Sequence, residues 1–405
     1  MILNVRPILS ALLRNRTAAV LVALQVAIAL AVLVNAVYIV VQRVEKIGRT
    51  SGLDEPNIFV VQSAGFTDRF HEVPAVKEDL AYLRSLSGVI AATPSNSLPL
   101  SQTGNNDSLV TRTDARRTEN YNEIEVDEQG LEALGVRLVA GRNFHHEEIQ
   151  PPLNRADISR FVPVIIVSRA LGEHLFPHQN PLGRQVYDTL NQSATIIGVV
   201  DPVMGDYPDH EHPDWVAFLP RLPDDFIMVQ YLVRTRPGMR DTIIRTVDSH
   251  LARSNPDRVI NWVRPLTYFK NLSYLGDSSM EIYLLTVTGL VLGVTCLGIF
   301  ALATFNVSTR TKQIGTRRAV GARRRDVVRH YLVENGLVTS VGVILGCALA
   351  LGAGYWLSLQ YALPRLNLYY LVGGVLVLWT TGQLAAWQPA RRAAAVPPSV
   401  ATRTV

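Results

Sequence analysis

The chain has 405 residues, of which 48% are hydrophobic and 18% charged, and its formal net charge is +5. This charged fraction is below the roughly 25% of ordinary soluble domains, which excludes a disordered chain and disfavours a wholly soluble one. The hydrophobic fraction is too low for a chain that lies in lipid throughout. The two cysteines, Cys296 and Cys347, both lie in long apolar runs, so the sequence offers no disulfide framework. We therefore expect a few membrane spans and one sizeable domain in water.

Four stretches of the chain carry no Asp, Glu, Lys, Arg or His and are long enough to cross a bilayer, because about 20 apolar residues span a hydrocarbon core of roughly 30 Å. We predict transmembrane helices at residues 18–41, 282–307, 336–360 and 368–388. The absence of acidic and basic side chains from these spans argues against an ion-coupled transporter or pump. The predicted fold class is a membrane protein with four transmembrane α-helices, one followed by three. A large extracytoplasmic α+β domain is inserted between the first two.

Basic residues predict how the spans are oriented. Residues 1–17, 308–335 and 389–405 together contain fourteen Lys and Arg against two Asp and Glu, a net charge of +12 in a chain of +5. Short cytoplasmic segments are enriched in Lys and Arg, so we place these segments and both termini in the cytoplasm. Residues 42–281 and the short loop 361–367 then lie outside. Because the positive charge flanks the spans and no aromatic stacking motif accompanies it, we expect contact with membrane lipid and no nucleic acid.

Small residues at helical spacing lie within two of the predicted spans. Gly289 and Gly293 form one Gly-x-x-x-Gly pattern, and Gly342 and Gly346 form another. Small residues let helix backbones approach closely in lipid. The sequence leaves open whether these glycines pack within one chain or between two chains.

The region 42–281 has the pattern of an α/β domain. Runs of β-branched and apolar residues predict strands at 58–62, 162–167, 194–200 and 228–235. Helical periodicity predicts helices at 74–86, 169–176 and 240–255, the second of them with Ser168 as its N-cap. The stretch 98–125 is polar and poor in apolar residues, which is typical of a long loop that is mobile or contacts a partner.

Motifs that carry chemistry are scarce in this region. Residues 209–214 place two His and three acids together, and residues 145–148 repeat the pattern of His and Glu. Two His on an extended chain with one residue between them share a face, which suits a metal, but a solvated acidic loop is the favoured interpretation. No Gly-x-Ser-x-Gly, His-Glu-x-x-His or Cys-x-x-Cys motif is present. We therefore expect no catalytic residue and no metal site on this chain.

The most distinctive segment is the loop 308–336. Gly315 and Gly321 are expected to break it into short helical pieces. One face of the last piece is apolar and its other face is basic, the apolar residues being Val327, Val328, Tyr331 and Leu332. A basic amphipathic helix beside a span either lies on the membrane surface or docks on a cytoplasmic partner.

This loop resembles that of the FtsX/MacB family of ABC transporter permeases, which reads R-T-x-E-I-G-x-R-x-A-x-G-A-x-x-x-D-I followed by an aromatic-Leu pair and a Glu. The matching positions are Arg310, Ile314, Gly315, Arg317, Ala319, Gly321, Ala322, Asp326 and Glu334. Residues 9–17 are similar to the amphipathic helix that leads into the family's first span. Further resemblance follows in order, to a MacB-like periplasmic core domain at 130–144, 164–176, 180–184 and 196–200, and to a closing Pro-Ala motif at 388–397.

The resemblance implies a permease that pairs with a second permease copy, identical or homologous, and with a cytoplasmic ABC ATPase dimer. A periplasmic adaptor and an outer-membrane channel are further candidate partners. The residues expected to couple this chain to its ATPase are Arg310, Gln313, Ile314, Gly315, Arg317, Arg318, Gly321, Ala322, Arg324, Asp326 and Glu334. Gln313 stands where the family has Glu, so it keeps hydrogen bonding but loses the charge. This change either has no consequence or marks the less typical half of a heterodimer.

The sequence also predicts where ATP is bound. The phosphate-binding motif Gly-x-x-x-x-Gly-Lys-[Ser/Thr] needs a lysine, and none of the four lysines, Lys46, Lys77, Lys270 and Lys312, lies in such a pattern. We therefore expect a non-catalytic subunit without a cofactor of its own, and ATP and Mg²⁺ on a separate ATPase.

The function that the resemblance favours is that of a permease subunit in an ATP-driven export system of the bacterial inner membrane, which moves drugs, peptides or toxic metabolites and passes ATPase motion to a periplasmic domain. Two alternatives stay open. One is a lipoprotein-releasing permease, against which the MacB-like segments weigh. The other is a sensor or regulator of cell-wall hydrolases that moves no cargo.

Overall fold

The structure is a computed structural model, and it describes residues 16–67, 69–111, 119–152, 162–223, 228–361 and 366–397. The chain divides into two compact units. A membrane unit is formed by Met1–Gly48 and Gly276–Val405, and an inserted domain by Arg49–Leu275. The helix expected to lead into the first span lies outside the described residues, except for its last two positions. One apolar helix, an inserted α+β domain and three further apolar helices follow in the predicted order.

The elements are named here in chain order. The helices are α1 (Arg16–Ile47), α2 (Glu72–Ser85), α3 (Gly130–Leu134), α4 (Arg169–Leu175), α5 (Arg240–Ser254), α6 (Leu266–Ser273), α7 (Leu275–Thr309), α8 (Thr311–Ala319), α9 (Arg324–Tyr361) and α10 (Leu368–Ala395). The strands are β1 (Ile58–Gly65), β2 (Val89–Ser95), β3 (Asn105–Leu109), β4 (Glu119–Val126), β5 (Leu138–Gly141), β6 (Val164–Ser168), β7 (Gln185–Tyr187), β8 (Ser193–Val200), β9 (Val216–Pro220), β10 (Met228–Thr235) and β11 (Arg258–Pro265).

The first sheet of the inserted domain is antiparallel, with the strand order β11-β1-β10-β2. Strand β1 is buried at nearly every position because both faces of the sheet are covered. Phe59, Val61 and Tyr231 pack on one face against α2 and α5. On the other face, Ile58 and Val60 join a core to which the second sheet also contributes. The expected strands at 58–62 and 228–235 are confirmed as β1 and β10.

The second sheet is mixed, with the order β3-β4-β9-β6-β8-β5 and with β7 paired to β8. Strand β4 runs parallel to β9 and β6 runs parallel to β8, while the other neighbours are antiparallel. Both β6 and β8 were expected from their β-branched residues. Ser168 caps α4 as predicted, since its hydroxyl accepts a hydrogen bond from the backbone N–H of Leu171 at 3.2 Å.

The polar stretch 98–125 is not one long loop, so that expectation is wrong for its described part. Strands β3 and β4 pair antiparallel there, from Asn105 opposite Glu123 to Leu109 opposite Glu119. Residues 112–118 between them lie outside the described residues. Because β3 is an edge strand in which only Leu109 is buried, it needs few apolar residues and shows no clear alternation.

A buried carboxyl group lies where the segment after β2 meets the segment before β9. Asp206 is fully buried, and its Oδ2 accepts a hydrogen bond from the Ser97 hydroxyl. Gly104 leaves room for this group, since a Cβ there would lie 1.5 Å from the same oxygen. Burial raises the pKa of Asp206 to about 8. Hydrogen bonds from Ser97 and from the backbone of Asn105 lower this pKa, but they offset the effect of burial only in part. The carboxyl therefore keeps its proton in the folded domain at neutral pH.

This proton makes the stability of the inserted domain depend on pH. Between about pH 4, where an ordinary Asp titrates, and about pH 8, the folded domain holds a proton that the unfolded chain has released. We expect the free energy of unfolding to fall with rising pH across this window, by up to about 1.4 kcal/mol per pH unit, and to level off above it. Asp206→Asn keeps the shape of the side chain but has no group that titrates in this range. The variant should therefore remove this dependence of the free energy of unfolding on pH. Denaturant unfolding of both full-length proteins at several pH values measures it, and equal slopes would show that Asp206 is ionised when folded.

In the membrane unit, α1, α7, α9 and α10 are long and apolar enough to cross a membrane. Helix α9 packs against both α1 and α10. Two amide side chains of α1 add hydrogen bonds between helices: Asn35 Nδ2 donates to the carbonyl of Ala350 at 3.1 Å, and Gln25 Nε2 to that of Val294 at 2.8 Å. In lipid, such hydrogen bonds and close contacts hold helices together, because apolar surface gains little by moving from lipid to protein.

The two Gly-x-x-x-Gly patterns behave differently in this chain. A Cβ on Gly342 would lie 2.6 Å from the carbonyl oxygen of Ala23, and one on Gly346 would lie 3.0 Å from Cα of Ala27. These two glycines therefore let the backbones of α9 and α1 touch. By contrast, no other side chain or helix of the described chain lies within 4 Å of a Cβ built on Gly289 or Gly293 of α7.

Helix α7 is the least buried of the four spans, with 17% of its apolar stretch covered, against 44% for α1. It has 35 residues and is about 50 Å long, so it extends beyond a hydrocarbon core of roughly 30 Å. Near its first turn, Asp277 pairs with Arg43 and with Lys46, the second at 2.9 Å. The helix is thus joined to α1 by polar contacts at two distant points, Asp277 and Val294.

Candidate coupling site

The site expected to meet an ATPase is built around α8, which lies between α7 and α9 in the chain. Its end is a Schellman motif: the backbone N–H of Gly321 donates to the carbonyl of Arg318 and that of Ala322 to the carbonyl of Arg317, both at 3.1 Å. Gly321 has φ +102°, a conformation that favours glycine. The turn into α9 is then capped by Asp326, whose Oδ2 accepts a hydrogen bond from the backbone N–H of Arg323 at 3.1 Å.

One side of α8 is buried in a seat formed by the two neighbouring helices. Ile314 and Gly315 are the buried residues of α8. Ile314 packs in a cluster with two residues at the start of α9 and three small residues at the end of α10, namely Val327, Tyr331, Ala390, Ala393 and Ala394. The alanines have little volume, so α8 can approach α10 closely. This cluster is called the α8 seat below.

An ion pair fixes the beginning of α8 to α9. Arg310, the N-cap residue of α8, lies with its Nη1 3.1 Å from both carboxylate oxygens of Glu334. The Glu334 side chain is 5% exposed and that of Arg310 is 21% exposed. A carboxylate buried to this degree needs its partner, because leaving it unpaired costs several kcal/mol.

A second contact fixes the other end of α8. Arg318 Nη1 donates a hydrogen bond to the backbone carbonyl of Val396, just beyond the last turn of α10. The carbonyls at the end of a helix have no partner within the helix, so a guanidinium is well placed there. Helix α8 is therefore held at its start by α9, at its middle by the α8 seat, and at its end by the chain after α10.

The other side of α8 is exposed and basic. Lys312, Gln313 and Arg317 are all exposed, as is Arg324 at the start of α9. Among the described residues, none of the three cations forms an ion pair within the chain. This outward face therefore presents hydrogen-bonding groups and positive charge.

The structure divides the predicted coupling residues into two groups. Those that hold α8 in place are Arg310, Ile314, Gly315, Arg318 and Glu334, and those exposed around it are Gln313, Arg317, Gly321, Arg324 and Asp326, with Ala322 half-buried. One local expectation is wrong: Gly315 does not break the helix but lies inside α8, on its buried side. Only Gly321 ends a helical piece.

Some residues of the site were not found from the sequence. The contribution of α10 to the α8 seat, through Ala390, Ala393 and Ala394, was not expected. The only signal for it is the spacing of small residues three and four apart at the end of an apolar helix, which places them on one face. Such spacing occurs in many helices, and the contact depends on which helix lies opposite.

The acidic His motif of the inserted domain does not form a metal site among the described residues, where no group of three His, Cys, Asp or Glu side chains has an arrangement that could hold a metal ion. The two His rings of residues 209–214 turn to different neighbours. His210 stacks on Tyr207 with ring centroids 4.6 Å apart, and His212 stacks on Trp215 at 3.9 Å. His174 stacks on the same Trp215 at 3.9 Å and pairs with Glu119 at 3.1 Å.

Together these features define a membrane protein with one span, a large inserted α+β domain and three further spans, and with a seated basic helix between α7 and α9. A family model described as the MacB-like periplasmic core domain matches residues 17–250, and one described as the FtsX-like permease C-terminal matches residues 285–398. The chain belongs to this family of FtsX/MacB-type permeases.

Individual relatives agree with this assignment. The chain is 28% identical over 291 residues to the macrolide export ATP-binding/permease protein MacB of Bartonella henselae, which covers 68% of this chain and 41% of the relative. It is 25% identical over 362 residues to the protein of the same name from Azoarcus sp., and this alignment covers 85% of this chain and 51% of that protein. The chain thus spans about half the length of these relatives. A solved structure of the periplasmic region of MacB from Actinobacillus actinomycetemcomitans aligns with a TM-score of 0.35 at 15% identity, covering 56% of this chain and 97% of that one.

Proposed function

We propose that this chain is the permease subunit of an ATP-driven ABC export system and that α8 is the element that binds its cytoplasmic ATPase. The observation that carries this proposal is the arrangement of α8, which is seated firmly on one side and exposes a basic surface on the other. A helix that must receive a push needs this combination of a rigid base and an accessible face.

The seat connects α8 to every span that follows the inserted domain. Helix α8 is one residue from the end of α7, packs against the start of α9 and touches the end of α10. A displacement of α8 would therefore be passed to three spans at once. Since α7 continues the chain directly from α6 of the inserted domain, it offers a covalent route for this motion. This supports transmission of ATPase motion towards the inserted domain.

The remaining parts of the proposal follow from charge and from the relatives. The excess of Lys and Arg in residues 1–17, 308–335 and 389–405 favours a cytoplasmic position for these segments and a periplasmic position for the inserted domain. The relatives are named as macrolide export proteins and as ATP-binding/permease proteins. On this basis we assign the chain to efflux of drugs, peptides or toxic metabolites, with ATP and Mg²⁺ on the ATPase and a second permease copy beside it.

The proposal is tested by purifying the tagged full-length chain from its host and identifying the proteins bound to it. We expect an ABC ATPase with the wild type. Reversing two exposed charges of α8, Lys312→Glu and Arg317→Glu, should remove most of the bound ATPase while the amount of chain in the membrane stays unchanged. Neither residue takes part in the α8 seat, so the variant should fold.

A matched control is Arg245→Glu with Arg253→Glu on the exposed side of α5, which changes the charge equally in the inserted domain. This control should retain the ATPase. Recovery of the wild type without any ATPase, or equal ATPase recovery by the α8 variant, would contradict the proposal. A cell-wall hydrolase or a sensor kinase in place of an ATPase would instead indicate a regulator.

A further inference from the structure

The acidic residues of the predicted cytoplasmic segments are both engaged within the chain. Asp326 caps the turn before α9, and Glu334 is paired with Arg310. These are the two acids set against fourteen basic residues in those segments. Among the described residues, Arg391 and Arg392 at the end of α10 are exposed and form no ion pair. Their charge is therefore not neutralised by an acidic side chain in the part of the chain that the structure describes.

Exposed side chains near the end of α10 form a row along one face of the helix. Leu384 is 73% exposed and Trp387 is 49% exposed. Arg391 follows one turn after Trp387, and the spacing places all three on one side of the helix. Leu384, Trp387 and Arg391 are called the terminal row below. Side chains on a helix lean towards its N-terminus, so the Arg391 side chain leans back towards Trp387.

The composition of the terminal row changes in the order expected where a helix leaves the hydrocarbon. A fully apolar residue comes first, then a tryptophan, whose ring is favoured at the level of the lipid headgroups, and then an arginine. The apolar part of the arginine side chain can lie along the helix while its guanidinium reaches the headgroup phosphates. The opposite side of α10 is occupied by the α8 seat, with Ala390 and Ala393 buried, so the two arginines face the surroundings of the helix.

We propose that Arg391, with the indole N–H of Trp387, binds the phosphate of an anionic phospholipid at the end of α10, and that the neighbouring exposed Arg392 adds positive charge beside it. A guanidinium offers a planar fork of donors that suits phosphate oxygens, and the indole N–H adds one more donor. A lipid with a net negative headgroup is favoured over a zwitterionic one, because the ammonium group of the latter is repelled by the neighbouring arginines.

Lipid is favoured over a protein partner because the terminal row continues the apolar surface of the span. Leu376, which is 60% exposed, lies two turns before Leu384. The exposed residues Lys312, Gln313 and Arg317 belong to α8, a short helix that is not one of the four apolar spans. The inference does not rest on the proposed binding of an ATPase, because it concerns a separate pair of arginines.

The proposal is tested on the full-length chain purified in detergent, with phosphatidylglycerol as the anionic probe and phosphatidylcholine as the zwitterionic one. Native mass spectrometry then counts the lipid molecules that stay bound to each variant. The wild type is expected to retain phosphatidylglycerol in preference to phosphatidylcholine. Arg391→Gln with Arg392→Gln should weaken phosphatidylglycerol retention by about tenfold or more, since each basic residue near a lipid surface contributes roughly a five-fold effect.

Two further variants show whether phosphatidylglycerol retention depends on the position of these arginines and on their positive charge. Arg245→Gln with Arg253→Gln removes the same charge from the inserted domain and should retain phosphatidylglycerol. Arg391→Lys with Arg392→Lys keeps the positive charge and should retain most of the bound phosphatidylglycerol. Equal retention by the Arg391/Arg392 glutamine variant, or no preference for phosphatidylglycerol in the wild type, would overturn the proposal. Loss of a bound ATPase from the glutamine variant with unchanged lipid would assign these arginines to a protein partner instead.

Discussion

Replacing Gly346 with valine is expected to force α1 and α9 apart and to lower the thermal stability of the membrane unit. A Cβ at this position would lie 2.9 Å from Cβ of Leu30 and 3.0 Å from the carbonyl oxygen of Ala27, so a backbone has to move. Overpacking of this kind costs about 1–3 kcal/mol per site. Valine forms helices better than glycine does, so the loss cannot come from α9 itself. Adding Gly342→Val should increase the loss, because a Cβ there meets the carbonyl of Ala23 at 2.6 Å.

The matched control is the other glycine pair, Gly289→Val with Gly293→Val on α7, where a Cβ would have no neighbour within 4 Å among the residues that the structure describes. Thermal unfolding of the full-length proteins in detergent, together with the fraction that elutes as a single species, measures both pairs. We expect the α9 pair to lose most of its folded protein and the α7 pair to behave as the wild type. An undamaged α9 variant would contradict the close α1–α9 contact. Equal damage in the α7 pair would show that those glycines pack against a molecule outside this chain.

Removing Arg310 is expected to release α8 from its seat more completely than removing Glu334. Arg310→Ala leaves a carboxylate that is 5% exposed without its partner, which costs about 3–5 kcal/mol for a buried pair. Glu334→Ala leaves an arginine that is 21% exposed and can turn towards water, so its cost should be smaller. Removing both side chains should restore part of the stability lost in Arg310→Ala, because no uncompensated charge remains.

Hydrogen exchange of the backbone amides in residues 311–319 reports this release directly, since an undocked short helix loses its protection. The exchange rate should rise most in Arg310→Ala, less in the double variant and least in Glu334→Ala. Lys312→Ala on the exposed side of α8 is the control and should leave the exchange unchanged. The opposite order of the two single variants would show that the arginine, rather than the carboxylate, is the group that cannot do without a partner.

The membrane architecture could be predicted because it depends on local properties of the sequence. Each span is a continuous run of apolar residues, and hydrocarbon excludes unpaired polar groups wherever the run lies. Strands β6, β8 and β10 were found for a similar reason, since residues buried on both faces of a sheet give dense apolar runs. The edge strand β3 was missed because an exposed edge does not require apolar residues.

The candidate site could be predicted only in outline. The sequence identified the basic loop and the glycine at position 321, whose positive φ ends α8. It did not show that Ile314 and Gly315 face inward while Gln313 and Arg317 face outward, because the orientation of a short helix is set by what it packs on. Nor did it show the participation of Ala390 and its neighbours, which come from a helix about 75 residues further along the chain.

By itself, the sequence determined the number of spans, the place of the inserted domain and the concentration of positive charge beside the spans. Each of these features depends on the total hydrophobicity or charge of a continuous segment. Such totals decide whether a segment lies in lipid or in water. Only the tertiary structure decided that Gly342 and Gly346 touch α1 while Gly289 and Gly293 do not. It also decided that Arg310 pairs with Glu334 and that Arg391 is left facing outward. These are relations between separate helices, and they are fixed by packing rather than by composition.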